Sequence, residues 1–138
     1  MSHTSFINDV DYYGIDASND MIERNKKLFS NRHNLHFQQG DISSINLPHT
    51  DLVIIKDVLP HLPDDFITKT LKNIDNYKYV IIVNCFKNKD DEQPGLNTDV
   101  VIGGFRLLDI RKPPFNFGCD HTMEYDTKLV CIKINSLY

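Results

Sequence analysis

The chain has 138 residues, of which 41% are hydrophobic and 25% charged, and a formal net charge of -4. That length suits a single domain over residues 1–138, long enough to bury about two-thirds of its unfolded surface. The acidic balance argues against a nucleic-acid or anionic-membrane surface, and no apolar run approaches the ~18 residues of a membrane span.

The start lacks a charged-then-apolar secretory pattern. Cys85, Cys119 and Cys131 show no CxxC spacing, so reduced, buried thiols in the cytoplasm are expected rather than a disulfide framework. Met1 to Asp11 is polar apart from Phe6, Ile7 and Val10, too short for both a strand and a helix.

Tyr12 to Ile15 reads as a short strand closed by Asp16, Ala17 and Ser18. Ser18 can cap a helix over Asn19 to Phe29, with Met21, Ile22, Leu28 and Phe29 at helical period and Glu23 with Lys27 as an i,i+4 pair. Leu35 and Phe37 alternate with His36 and Gln38, as in an edge strand that ends at Gly40-Asp41. His33 and His36 lack a carboxylate pattern for a shared metal and are expected to be structural or exposed.

Leu52 to Ile55 is a continuous apolar run, the mark of a strand buried on both faces in a parallel sheet. Polar groups collect just beyond it, at Lys56, Asp57 and His61, on the edge where open α/β sheets bind ligands. Pro63, Asp64 and Asp65 begin a second helix whose apolar face is Phe66, Ile67, Thr70, Leu71 and Ile74, ending near Asp75. Tyr79 to Cys85 is a second buried parallel strand.

Lys87 to Asn97 is a polar loop, expected to be solvated and mobile. Phe105 to Leu108 is a plausible strand and Lys128 to Ile134 alternates as an edge strand should. Arg106, Arg111 and Lys112 are expected as solvated positions around a turn, the alternative being contacts for an acidic substrate, and Pro113-Pro114 is expected to hold a buried Phe115, with Phe117, over the end of the sheet. The fold class is α/β: a Rossmann-like, mostly parallel sheet with helices on both faces and an antiparallel C-terminal strand pair.

Three segments in this order, YYGIDAS at Tyr12 to Ser18, QGDI at Gln39 to Ile42 and DLVIIKDVLPHL at Asp51 to Leu62, resemble the second, third and fourth strand ends of class I S-adenosylmethionine-dependent methyltransferases. GFRLLDIRKPPF and KLVCIKI look like that family's antiparallel sixth and seventh strands. The resemblance implies S-adenosylmethionine as cofactor, held at Asp16 and Ala17 (ribose), Asp41 and Ile42 (adenine) and Lys56. It places Asp57 and His61 at the reaction side as proton acceptors, implies no metal, and suits a small-molecule or glycan-type acceptor.

The family's first strand and its acidic-x-Gly-x-Gly-x-Gly loop should precede Tyr12, yet the only glycine upstream of Gly40 is Gly14. An alternative is therefore a truncated, non-catalytic remnant that acts as a binding or regulatory subunit, or half of a split enzyme. The lost strand leaves backbone groups to be paired, so either Tyr12 to Ile15 pairs directly with Leu52 to Ile55, or a strand from a second copy or a complementing chain fills the space.

Overall fold

The computed structural model describes residues 9–136, so most of the polar opening segment lies outside the described residues. The chain divides into two compact units, Met1–Pro48 and His49–Tyr138, each described by itself.

In the first unit, β1 (Tyr12–Asp16) and β2 (Leu35–Gln39) pair in parallel around α1 (Asn19–Leu28), with Tyr12 opposite Leu35 and Asp16 opposite Gln39. Ser18 caps α1, its Oγ accepting from the Met21 amide at 3.4 Å. Only Ile22 of the helix is buried. The expected Glu23 pair forms with Lys26, one turn position earlier than Lys27, at 2.9 Å. Phe37 stacks on Phe29 and lies over Gly14, where a Cβ would sit 2.8 Å from the Phe37 ring, so only glycine lets the ring this close.

In the second unit the strand order is β3 (Leu52–Lys56), β4 (Tyr79–Cys85), β6 (Lys128–Ile134), β5 (His121–Tyr125). β3 and β4 are parallel; β4 with β6 and β6 with β5 are antiparallel. Between β3 and β4 lie a 3-10 turn at Leu59–His61 and α2 (Asp64–Ile74), whose first free amide, that of Asp64, is met by the Asp99 carboxylate at 2.9 Å. Ile67, Thr70, Leu71 and Ile74 of α2 and Ile55, Val80, Ile82, Leu129 and Cys131 of the sheet are all buried and form one core, joined by Phe86, Leu108, Ile110 and Phe117.

Several expectations are corrected. Among the described residues β1 does not pair with β3: β1 has β2 as its one neighbour and β3 has β4. The opposite sheet face, with Leu52 and Ile54 exposed, carries no helix of this unit, so the cover on both faces is not met there. The antiparallel pair is His121–Tyr125 with Lys128–Ile134, turned by Asp126 at positive φ, whereas Phe105 to Leu108 is irregular. Phe117 is buried and Phe115 only half-buried. Cys119 and Cys131 are joined as a disulfide with Cα atoms 5.6 Å apart, and Cys85 alone is free. The 87–97 loop is largely exposed, as expected, and within it the Asn88 carboxamide oxygen accepts from the Asp90 and Glu92 amides at 2.9 Å each.

Arg106 is the largest correction, since its side chain is only 2% exposed. Nη2 donates to the Leu62 carbonyl at 2.7 Å and Nη1 to the Thr98 carbonyl at 3.0 Å, with Asp64 as its ion-pair partner. Arg111 is likewise committed, gripping the fully buried Asp109 through Nε and Nη2 at 2.8 Å each. Burial works to raise the Asp109 pKa, but the Arg111 bonds outweigh it and hold the carboxyl below its usual range.

Arg106→Ala should cost about 1.5–3 kcal/mol in chemical denaturation, because it removes the bonds of a buried guanidinium to Asp64 and to two carbonyls. Arg106→Lys should recover only part of that loss, since an ammonium lacks the planar fork. Wild-type stability in the alanine variant would show that the clasp is dispensable.

Candidate functional site

Parallel strands present their carboxyl ends together, so the residues after β1 and β2 are neighbours in the first unit. The Gly40 amide donates to the Asp16 carbonyl at 3.0 Å, and Gln39 Nε2 donates to the Ala17 carbonyl at 3.1 Å. These bonds hold Asp16, Ala17, Asp41 and Ile42 at one end of the strand pair. The Asp16 Oδ1 accepts from the Ser18 amide at 2.7 Å, and the Asp41 Oδ1 from the Ser43 amide at 2.8 Å. Each carboxylate is thereby oriented by one oxygen, and among the described residues the other oxygen of each has no partner. A cleft of about 300 Å³ in this unit is lined by Tyr13, Ile15, His36, Gln38 and Pro48 among others, and neither acid is part of its lining. His36 there stacks on Tyr13 at 4.7 Å, the structural role expected of it.

In the second unit, the chain leaves β3 through Asp57 at φ 56°, a left-handed conformation that aspartate tolerates better than most residues. The Asp57 amide donates to the Val83 carbonyl at 2.9 Å, and Lys56 Nζ reaches the Asp57 Oδ2 at 2.7 Å. On its other side Lys128, brought across the sheet by its register with Cys85, donates to the Asp57 Oδ1. Lys128 also lies 2.9 Å from the Cys85 sulfur. Partial burial pushes the Asp57 pKa up, but the bonds and charges of Lys128 and Lys56 more than reverse this and leave it lowered. Burial likewise pulls Lys128 down, while Asp57 and Cys85 prevail and raise it.

His61 stands apart from this cluster, and no bond joins it to Asp57 among the described residues. Its Nδ1 lies 2.7 Å from the Gly104 carbonyl. A carbonyl can only accept, so Nδ1 carries the proton and Nε2 is left as an acceptor. The Phe105 ring packs at 5.5 Å, and the Gly103 amide donates to the His61 carbonyl at 3.0 Å. Chemically, His61 can take a proton through Nε2, whereas Asp57 already balances two ammonium groups.

Sequence reasoning missed Lys128 and the burial of Arg106. Lys128 is 71 residues from Asp57, and only strand register connects them. Arg106 left a signal, a single cation between Phe105 and Leu107-Leu108, that reads better as a buried charge than as a turn position.

The Asp57–Lys128 contact sets a pH dependence. Folded Asp57 titrates below its ordinary 3.8, so its contribution to stability is complete above that value and is lost as pH falls through the lowered one. Folded Lys128 titrates above 10.5, so its contribution is complete below that value and is lost as pH rises through the raised one. Denaturant midpoints of Lys128→Met should fall furthest below the parent between these limits and converge on it at both extremes. A constant offset at every pH would mean that the contact is not what the substitution removes.

A family model for a methyltransferase domain matches residues 3–78. Among solved structures, the methyltransferase domain of bacterial CtHen1-CN superposes with a TM-score of 0.67 at 12% identity, covering 91% of this chain and 78% of that one. Human N-acetylserotonin methyltransferase in complex with SAM gives 0.59 at 16% identity, covering 87% of this chain and 38% of that one. YcgJ from Bacillus subtilis gives 0.51 at 21% identity, covering 62% and 39%, so the chain spans well under half the length of these last two. None of the curated proteins matches. At such identities the likeness is one of fold, an α/β arrangement with a mixed sheet of the Rossmann-like methyltransferase kind. Because the family match runs over more than half of the chain, the protein belongs to the methyltransferase domain family.

Proposed function

We propose that the chain is an S-adenosylmethionine-dependent methyltransferase-like protein acting on a small-molecule or glycan-type acceptor. The observation that carries the reading is the pair of oriented carboxylates, Asp16 and Asp41, at the adjacent ends of β1 and β2, each with one oxygen uncommitted among the described residues. Such acceptors suit ribose hydroxyls and an adenine amino group, with Ala17 and Ile42 as the flanking contacts. The donor set therefore fits the adenosine half of the cofactor. When bound, the cofactor supplies an electrophilic methyl group.

The remaining work belongs to this chain's own residues. His61, with Nδ1 held by the Gly104 carbonyl, presents Nε2 to remove a proton from an acceptor hydroxyl. Asp57 is the second catalytic residue of the proposal; with Lys56 and Lys128 on it, its part is to hold charge in place rather than to take up a proton.

A second reading, of a binding or regulatory subunit or half of a split enzyme, is supported by β1 and β3 each having a single strand neighbour among the described residues.

Titration calorimetry separates the two. S-adenosylmethionine and S-adenosylhomocysteine should bind weakly, adenosine almost as well, and Asp16→Ala should weaken all three roughly tenfold or more, since a hydrogen bond to a charged group contributes ~1.5–3 kcal/mol. His61→Asn should leave these affinities unchanged. A folded chain that binds none of the three ligands supports the second reading, and normal binding by Asp16→Ala places the site elsewhere.

A further inference from the structure

Two turns bonded to each other hold His61. In the first, the His61 amide donates to the Val58 carbonyl at 3.1 Å; in the second, the Gly104 amide donates to the Val101 carbonyl at 2.9 Å. The Gly103 amide, donating to the His61 carbonyl at 3.0 Å, joins them. Gly103 stands at φ 80°, the third position of the second turn, which glycine takes without strain. Ile102 is left at the corner of that turn, 66% exposed, and Phe105 just after it is 57% exposed. The Phe105 ring lies 5.5 Å from the imidazole and is tilted 47° to it, so the two rings form an angled aromatic surface.

Charge and polarity narrow what this surface can take. In residues 58–62 and 97–106 Arg106 is the single lysine or arginine, and its terminal nitrogens are committed to Asp64 and two carbonyls. An anionic ligand therefore finds no free cation in either segment. A glycan would set several hydroxyls against valine, isoleucine and phenylalanine and leave them unmet. The imidazole offers one polar atom, Nε2, and only as an acceptor, because Nδ1 gives its proton to the Gly104 carbonyl. One acceptor among apolar side chains matches one donor on an apolar body.

We propose that the acceptor substrate is a neutral, planar aromatic molecule carrying a phenolic hydroxyl. The hydroxyl donates to His61 Nε2, and the ring packs against Phe105 and the Ile102 corner. This rests on the reading of His61 as the proton acceptor and narrows its substrate class. A phenol gives up its proton at a pH of about 10, far more readily than a sugar hydroxyl does, so a neutral imidazole suits it. The O–H proton passes to Nε2 and its bonding pair stays on the oxygen, which becomes the nucleophile.

NMR titration of the full chain without cofactor, using p-cresol and its isomer anisole at millimolar concentration, tests this. p-Cresol should move the Gly103, Gly104 and Phe105 amides and the His61 Nε2 resonance, and should bind roughly fivefold more tightly than anisole, which has no donor. Benzoate and methyl glucoside should leave these resonances in place. His61→Asn keeps an amide for the Gly104 carbonyl but lacks Nε2, so it should bind p-cresol no better than anisole. Phe105→Ala, at an exposed position, should weaken both. Absent p-cresol binding, equal binding of the two isomers by the parent chain, or tighter binding of benzoate or methyl glucoside would overturn the proposal. So would turn resonances that move with protein concentration alone, which would make the apolar corner a contact between copies. Adenosine binding at Asp16 is a separate readout. Its failure beside intact p-cresol binding would sink the methyl-transfer reading and leave this site, and the reverse result would send the acceptor elsewhere.

Discussion

A guanidinium that folds into a protein interior has to bring its own solvation with it, and the second unit meets that demand for both terminal nitrogens of Arg106, leaving Nε without a partner among the described residues. Its donors draw together the Leu62 carbonyl at the start of α2, the Thr98 carbonyl and Asp64, three points that the chain reaches from both directions. With those points fixed, the backbone of 103–106 lies along the 3-10 turn: the Arg106 amide donates to the Pro60 carbonyl at 3.2 Å and the Gly103 amide to the His61 carbonyl at 3.0 Å. The tautomer of His61 follows from the same alignment, since it places the Gly104 carbonyl at Nδ1. A buried cation thus sets a proton acceptor's orientation without touching it, much as a second layer of contacts sets the geometry of a ligand side chain.

The carboxyl end of β3 solves a different problem. Three polar residues, Lys56, Asp57 and Lys128, converge where a strand ends and the chain reverses, and a left-handed Asp57 makes the reversal. Had Asp57 stood there unpaired, partial burial would have favoured its neutral form. Two ammonium groups keep it charged, and the strain of the turn is carried by bonds made on both sides of the residue.

Local pattern made most of the first two-thirds of the chain legible. β1, α1, β2, β3, α2 and β4 announce themselves by apolar period, by Ser18 as a cap and by acidic residues at the start of α2, all local signals that agree with the final packing. The last third was harder to read because its apolar residues serve irregular backbone. FRLLDI looks like a strand, but its apolar side chains fill the core around Arg106 and Asp109 while the backbone bonds to loops. His121–Tyr125, conversely, is a strand with every residue exposed, and so lacks the alternation by which strands are recognised. The Cys119–Cys131 bridge depends on where β6 passes the segment before β5, which no spacing rule conveys. Of the candidate site, the acids at strand ends were legible by position; their second partners, Ser18 and Ser43 amides and Lys128, were not.

β3 is where pattern and structure disagree most usefully. Four successive apolar residues carry the composition of a strand enclosed on both faces and both edges, yet Ile54 is among the more exposed large apolar side chains of the described residues. Its neighbour β4 has nearly the same composition, YVIIVNC, and there the pattern and the environment agree: strands lie on both sides and its residues are buried or half-buried apart from Tyr79. The difference between the two strands is therefore one of surroundings rather than of sequence. An exposed isoleucine is unremarkable on its own. What differs is the backbone's surroundings: among the described residues β3 pairs with β4 alone, whereas β4 is bonded on both sides, so the same apolar run is enclosed in one strand and open in the other.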